Sequence, residues 1–443
     1  MLLKYTNYLS KKNIINFLIM FIPLSYIAGN LILNLTVVLL ISFVLFAYGK
    51  NILDMRFNYS DKLIILFFIY ILINGVYNNF FEINESNISQ NKIFFKSLSF
   101  LRFLIFYFIV KFLILKGIIN YKYLFFSFGA VSLFVCFDLM VQFSLGYDLF
   151  GFEKTGRRLT GPFNDEYIAG SFLQRFSFFA LCYSMFFIKF KKKNIFNLQI
   201  FFTLLVLLIG FILAGNRIPL LMFLIGVFLI FIFFSNIRKI FFIFFILIPI
   251  SLSIFMKSTD DYHSHYVGFV EKTYQITNFY YKKMKGESPK PDNSHLKEIE
   301  SGYATWKLNK YFGGGIKPFY NNCLKLDKKI SKDWGHGNFK VNNCPNHPHN
   351  YFIQLLAELG IFGFSLILLY FFSIIYNSFT IIANKEESRD RKNFIIFFLI
   401  IFLIEIFPFK TTGSFFTSLN ASYIFFVIAF IAGLSQNRNF IIK

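Results

Sequence analysis

CPNHPHNYFIQLLAELGIFG, residues Cys344–Gly363, sets a small polar cluster at the mouth of a strongly apolar helix whose pattern runs on to about Asn377. Pro348 favours an extended or turn conformation just ahead of the helix, which makes Asn350 a first-turn residue. Two imidazoles, His347 and His349, are then held where an apolar helix meets water, a reasonable place for proton transfer. Within the helix, Asn350, Gln354 and Glu358 recur at i, i+4 and i+8 and form one polar stripe. A carboxylate inside a bilayer is costly, so that stripe is expected to face protein or a wet cavity.

Working outward, apolar runs of spanning length recur from end to end. Hydrophobic residues make up 56% of the chain and charged residues 15%, and the mean hydropathy is +0.57. That composition excludes an ordinary soluble domain and predicts an all-α polytopic membrane protein. The 69 Phe accompany abundant Ile, Asn, Lys and Tyr, as an AT-rich genome produces, and read as lipid-facing filler. A net charge of +22 invites a nucleic-acid reading, but the Lys and Arg lie in short loops between apolar runs and no folded basic module is visible. The first apolar run lacks a small-residue cleavage site and reads as a retained span.

Spans are expected near 13–29, 31–48, 62–78, 98–115, 122–145, 167–190, 196–214, 218–235, 239–256, 349–377, 393–409 and 413–435, about twelve in all. Lys11, Lys50, Arg56, Lys116, Lys122, the Lys191–Lys193 run, Arg238, the Lys385–Lys392 stretch and Arg438 all fall on one side under alternation. That side is predicted to be cytoplasmic, with both termini on it. The chain then divides into an N-terminal bundle (1–256), a long outer loop (257–348) and a C-terminal set of helices (349–443). Asn84 and Asn87 stand in glycosylation sequons, which matter only in a eukaryotic secretory pathway. Gly313-Gly314-Gly315 in the loop is weak evidence for a phosphate cradle and equally fits a flexible bend.

Three groups of residues carry candidate chemistry. Arg157 and Arg158 precede Gly161-Pro162-Phe163-Asn164-Asp165-Glu166, whose acids suit a helix N-terminus. Deeper in that helix, Gln174-Arg175 interrupts the apolar run, and an intramembrane Arg calls for an anionic ligand or an acidic partner, here Glu358, Glu405 or Asp138. Arg217, in the tight turn Ala214-Gly215-Asn216-Arg217-Ile218-Pro219, sits at the outer interface, where a guanidinium can grip a lipid diphosphate bidentately or simply snorkel. Of the four Cys, Cys136 and Cys182 read as packed hydrophobes. Cys323 and Cys344 read as a disulfide in an oxidising compartment, worth about 3 kcal/mol. The rival is a metal site of Cys344, His347 and His349, which lacks a clear fourth ligand.

With these pieces placed, the sequence resembles the O-antigen ligase and polymerase superfamily of bacterial inner-membrane glycosyltransferases. The resemblance lies in Arg217, in Trp306 followed by Gly313-Gly314-Gly315-Ile316-Lys317-Pro318-Phe319, and in His347–Tyr351 running into Leu355–Gly360. Gly161–Glu166 with Ala169-Gly170 and Arg175 looks like one branch of that superfamily. The resemblance implies inverting transfer of a glycan from undecaprenyl diphosphate, without metal or cofactor, at the outer (periplasmic) face, to lipid A–core in ligases or to another repeat unit in polymerases. It implies that Arg217 clamps diphosphate and that His349, or its neighbour His347, acts on the acceptor hydroxyl, with Arg157, Arg158, Arg175, Lys317, Asn350, Gln354 and Glu358 as candidate substrate contacts. The family commonly carries a second arginine shortly before the tryptophan. Here Ser301–Thr305 precedes Trp306, no Arg occurs from 257 to 348, and Lys297, Lys307 or Lys317 offers a point charge in place of a fork. From another class, a lipid or glycan transporter would also be polytopic and basic, but is expected to show inverted repeats and broken midplane helices.

Overall fold

Long apolar runs separated by short polar turns fold into helices: α1 (Lys11–Ile27), α2 (Asn30–Leu53), α3 (Tyr59–Phe80), α4 (Gln90–Phe100), α5 (Arg102–Leu115), α6 (Tyr121–Leu145), α7 (Ala169–Phe186), α8 (Lys193–Ala214), α9 (Arg217–Phe233), α10 (Arg238–Ser258), α11 (Asp260–Met284), α12 (Ser294–Leu308), α13 (Tyr351–Ala383), α14 (Arg389–Glu405) and α15 (Ser418–Gln436). The computed structural model describes residues 10–80, 90–154, 156–188, 192–258, 260–289, 291, 293–316, 319–324, 326, 344–411 and 413–437, and among these there is no β-strand. Asn84, Asn87, Lys191, Lys317 and Arg438 lie outside the described residues. Local chemistry sets the helix ends. The side chains of Ser10, Asn120, Ser388 and Thr417 accept N-terminal amides of α1, α6, α14 and α15, which satisfies donors the helix itself leaves open. Gly146 and Gly215 close α6 and α8 in the left-handed conformation that glycine adopts at least cost.

The expected twelve spans are not all matched by length and apolarity. Among the described residues seven helices are long and apolar enough to cross a bilayer, and an eighth arises if α9 and α10, bent by 108° at Phe234, form one broken span. The shortfall has a geometric cause. Helices α1 and α14 are 17 residues each, about 26 Å long at 1.5 Å per residue, slightly under a hydrocarbon core of about 30 Å. In α7, Gln174 and Arg175 dilute an otherwise apolar run.

The bundle closes around α15, in which every residue from Asn420 to Leu434 is buried. This corrects the reading of Phe as lipid-facing filler for the core, while Phe17, Phe46 and Phe372 stand exposed as that reading expects. Phe398 stacks on Phe430 at 4.5 Å between ring centroids, Phe426 meets Phe430 at 4.7 Å, and Phe128 meets Phe179 at 4.7 Å. Lipid tails are as apolar as Leu, so association between spans rests on such close packing and on interhelical polar contacts. One polar contact went unanticipated: Lys111 of α5 pairs with Asp61 at the start of α3, both fully buried, and the Tyr107 hydroxyl donates to the same carboxylate at 2.9 Å.

The long segment 257–348 carries two helices of its own, α11 and α12. Lys283 of α11 reaches both carboxylate oxygens of Glu300 in α12 at 2.7 Å, and Asn293 caps α12 by accepting from the Leu296 amide at 2.9 Å. Helix α12 then packs against α13. The triple glycine is neither a loose bend nor a phosphate cradle. Helix α13 breaks at Gly360 (φ 63°, ψ −172°), and the loop backbone fits into the break. Gly315 N–H donates to the Glu358 carbonyl at 2.9 Å, and Ile361 and Phe362 donate to Lys310 and Tyr311. A Cβ on Gly313 would lie 2.4 Å from the Glu358 carbonyl oxygen, and one on Gly360 2.4 Å from that of Tyr311. Only two glycines allow backbones so close. From α3, Tyr70 donates to the Phe312 and Leu359 carbonyls and locks the joint.

Candidate active site

Asn350 fixes the start of α13. Its Oδ1 accepts from the amides of Phe352 and Ile353 at 3.0 and 3.1 Å, the bonding expected of an N-cap. Its Nδ2 donates to the Pro408 carbonyl at 2.6 Å, which ties the turn to the segment between α14 and α15. One residue earlier, His349 adopts φ +48°, a left-handed conformation that costs a non-glycine residue about 1–2 kcal/mol. Its side chain is 41% exposed, and its ring centroid stands 4.2 Å from that of His347. Backbone strain of this kind collects at functional sites, and the inference runs from the observed outlier to the function.

Helix α12 is pressed onto this turn. A Cβ on Gly302 would lie 2.4 Å from Ile353 Cγ2 and 3.1 Å from Pro348 Cβ, so glycine is what permits the contact. One turn earlier on the same face, Glu298 stands between two imidazoles. Its Oε2 is 3.2 Å from His295 Nδ1 and its Oε1 is 4.0 Å from His349 Nε2. Sequence reading missed His295 and Glu298. Their i, i+3 spacing marks a helix-surface pair, and nothing local says that the pair returns to His349.

Beneath the turn lies a buried charged network. Arg175 of α7 donates to Glu405 at 2.8 Å, to Asn420 Oδ1 at 2.6 Å and to the Tyr351 hydroxyl at 3.4 Å. Lys410 and Gln174 donate to the other oxygen of Glu405, at 2.7 and 3.1 Å. Of the three acids expected to partner Arg175, the structure selects Glu405. Its pairing accounts for the charge of an intramembrane arginine with protein groups. Gln354 and Glu358, both buried, also face protein. Gln354 donates to Glu358 at 3.1 Å and to Ser414 Oγ at 2.7 Å, and its Oε1 accepts the Phe415 amide at 2.8 Å. Burial, and secondarily the positive charge of Arg175, draw Lys410 down from the ordinary lysine value of 10.5 to about 8, against the pull of Glu405.

The segment bearing Arg157 and Arg158 packs against the α8–α9 turn. Asn216 accepts from Gly170 N–H and donates to the Tyr167 carbonyl, and Leu159 N–H donates to the Leu213 carbonyl. A Cβ on Gly215 would lie 3.2 Å from Arg158 Cγ. The segment bearing Arg157 and Arg158 therefore folds over the turn that carries Arg217. Arg217 lies beneath α11, its guanidinium carbon 5.9 Å from the centre of the Phe269 ring. The two helices of the loop thus cover one expected group each, α11 over Arg217 and α12 over His349. Cys323 and Cys344 are joined, with Cα atoms 5.7 Å apart, so the rival metal set lacks its thiolate.

Residues 202–368 match the family model described as O-antigen ligase. The matched stretch runs from α8 through Arg217 and the loop helices to the first half of α13, and so includes His347, His349 and the Gly360 break. No curated protein matches the chain.

Proposed function

From the match of residues 202–368 to the O-antigen ligase family model, we propose that the chain is a membrane glycosyltransferase of the O-antigen ligase and polymerase superfamily that moves a glycan from undecaprenyl diphosphate to an acceptor hydroxyl, lipid A–core in the ligase reading. The observation that carries this is one contiguous match containing both Arg217 and His349, each covered by a helix of the same loop. A helix stands at each of the twelve expected positions, although only seven or eight reach spanning length and apolarity, and with the basic loops on one side this reading takes the chain as a multi-pass bacterial inner-membrane protein with termini cytoplasmic and residues 257–348 on the periplasmic side. In that arrangement 1–256 and 349–443 form the bundle and 257–348 the catalytic cover.

In this mechanism Arg217, with Arg157 and Arg158 on the segment packed over its turn, binds the diphosphate and stabilises the charge it gains on leaving. The acceptor oxygen attacks the anomeric carbon from the opposite face, so the configuration inverts. The bond from that carbon to the phosphate oxygen breaks, and its electron pair leaves with the diphosphate. His349 takes the acceptor's hydroxyl proton, with His347 packed against its ring. Asn350, Gln354, Glu358 and Arg175 hold the turn that presents His349. Lys317, outside the described residues, remains the proposed second cation. All of these steps use groups of the chain itself, so transfer is expected to need no metal.

The test is reconstitution of the purified protein with an undecaprenyl-diphosphate glycan and candidate acceptors, in EDTA, for wild type, Arg217→Lys and His349→Ala. Lysine cannot reproduce a bidentate fork, so both variants are expected to insert in the membrane and lose transfer. Transfer retained in both would sink the assignment. The product names the reaction: glycan on lipid A–core for a ligase, lengthened lipid-linked glycan for a polymerase. Movement of the glycan across the vesicle without any product would mark a transporter.

A further inference from the structure

We propose that Glu298 is a positioning residue for His349: its carboxylate accepts the Nε2–H of that imidazole, fixes its orientation and tautomer, and leaves Nδ1 free to take the acceptor's proton. This rests on the assignment of His349 as the proton acceptor.

The case begins with how firmly α12 is held. Asn293 caps its start, Lys283 grips Glu300 through both carboxylate oxygens, and Gly302 brings its backbone against Pro348 and Ile353. Glu298 lies four residues before Gly302 and therefore on the same face, so the contact that docks the helix also delivers the carboxylate to His349. The two oxygens of Glu298 then have separate duties. Oε2, 3.2 Å from His295 Nδ1, is steadied by that imidazole, while Oε1, 4.0 Å from His349 Nε2, faces the residue with the strained backbone. A separation of 4.0 Å is one that substrate-free sites commonly show before the catalytic contacts tighten.

The chemistry explains why an acid belongs there. As the acceptor oxygen bonds to the anomeric carbon, its proton passes to His349 Nδ1 and the ring becomes a cation. A fixed carboxylate behind Nε2 stabilises that cation without itself taking the proton, the division of labour by which a buried acid orients a catalytic imidazole. Glu298 is 20% and His349 41% exposed, so an arriving glycan would displace water from both and strengthen their attraction. The bland alternative is that Glu298 merely partners His295 on the surface of α12. That role would leave His349 untouched when the acid is neutralised.

Two measurements on the full chain in lipid nanodiscs separate these. The first is the 15N spectrum of histidine-labelled protein, with His349 identified by the resonances lost in His349→Gln. Glu298→Gln is expected to move the His349 ring nitrogens and to weaken the Nε2–H tautomer. Unmoved His349 resonances would overturn the proposal whatever the transfer assay gives. The second is steady-state transfer from an undecaprenyl-diphosphate glycan. Glu298→Gln is expected to lower kcat about 10- to 100-fold, as loss of an orienting partner usually does, with KM for the glycan unchanged. Formate added to Glu298→Ala should restore part of kcat. Unaltered kcat, or a loss confined to KM, would overturn the proposal even where the spectra move. If the wild type transfers nothing while the spectra move, the positioning of His349 stands and the glycosyltransferase reading falls.

Discussion

Glu405→Gln is the substitution from which the buried network promises the largest effect. The carboxylate accepts from Arg175 at 2.8 Å, Lys410 at 2.7 Å, Gln174 at 3.1 Å and Tyr351 at 2.9 Å. The amide keeps the shape, removes the charge and turns a donor toward one of the two cations. Removing one member of a buried pair costs about 3–5 kcal/mol. Lys410 limits its own share, because its value near 8 means that shedding its proton at pH 7 costs about 1.4 kcal/mol. The larger part therefore falls on Arg175, which keeps its charge. A thiol-reactive dye that reports exposure of the buried free thiols Cys136 and Cys182 reads the melting midpoint, expected to drop by several degrees. The pH dependence has a definite sign. Lys410 titrates lower in the folded chain than in the unfolded one, so between about pH 8 and 10.5 the unfolded chain binds more protons and stability rises with pH. In Glu405→Gln, Lys410 loses its attracting partner and discharges at lower pH, so the deficit against wild type narrows from pH 7 to 9. Lys410→Met added to Glu405→Gln should recover only the smaller part. Equal midpoints for wild type and Glu405→Gln, or a deficit that grows with pH, would refute the reasoning.

Two further outcomes are expected. Gly313→Ala, at φ +76° with the Glu358 carbonyl oxygen 2.4 Å from the new Cβ, should cost more than the about 1–2 kcal/mol of the left-handed backbone alone and should open α12 to limited proteolysis. Gly286→Ala, at φ +81° in open space, should cost only the backbone share, and equal sensitivity of the two would count against the joint. Denatured, unreduced protein should take up maleimide at Cys136 and Cys182 only, and Cys323→Ser should add a third labelled thiol at Cys344. That variant should stay in the membrane yet lose transfer as the approach to His347 loosens.

The helical class was readable from hydropathy, because a bilayer accepts few other backbones. The polar stripe was readable too: Asn350, Gln354 and Glu358 follow helical spacing, and their need for partners followed from the cost of polarity in lipid. Which partners they find was not, since Ser414 and Phe415 reach Gln354 from a turn between two other helices. Arg175 showed the same limit, with three acids in prospect and Glu405 chosen by packing. The count of twelve spans is left open where helices are short, as in α1 and α14, or diluted by polar residues, as in α7. The candidate site itself was half legible. Arg217 and His349 stand out as polar groups at helix starts, but Glu298 has no local signature, and the pairing of Gly313 with Gly360 is a contact between distant backbones that no periodicity announces.

The joint at Gly313 and Gly360 fastens the C-terminal side of α12 to α13, and the Cys323–Cys344 bond ties the stretch beyond it to the segment that leads into that helix. A cover fixed along one edge can swing only from the other. In the proposed reaction, the motion that admits a long glycan and releases the lipid carrier would then originate in α11, on the edge over Arg217. Under the same proposal the acceptor side of the cleft would stay rigid through the reaction, and the donor side would be the door.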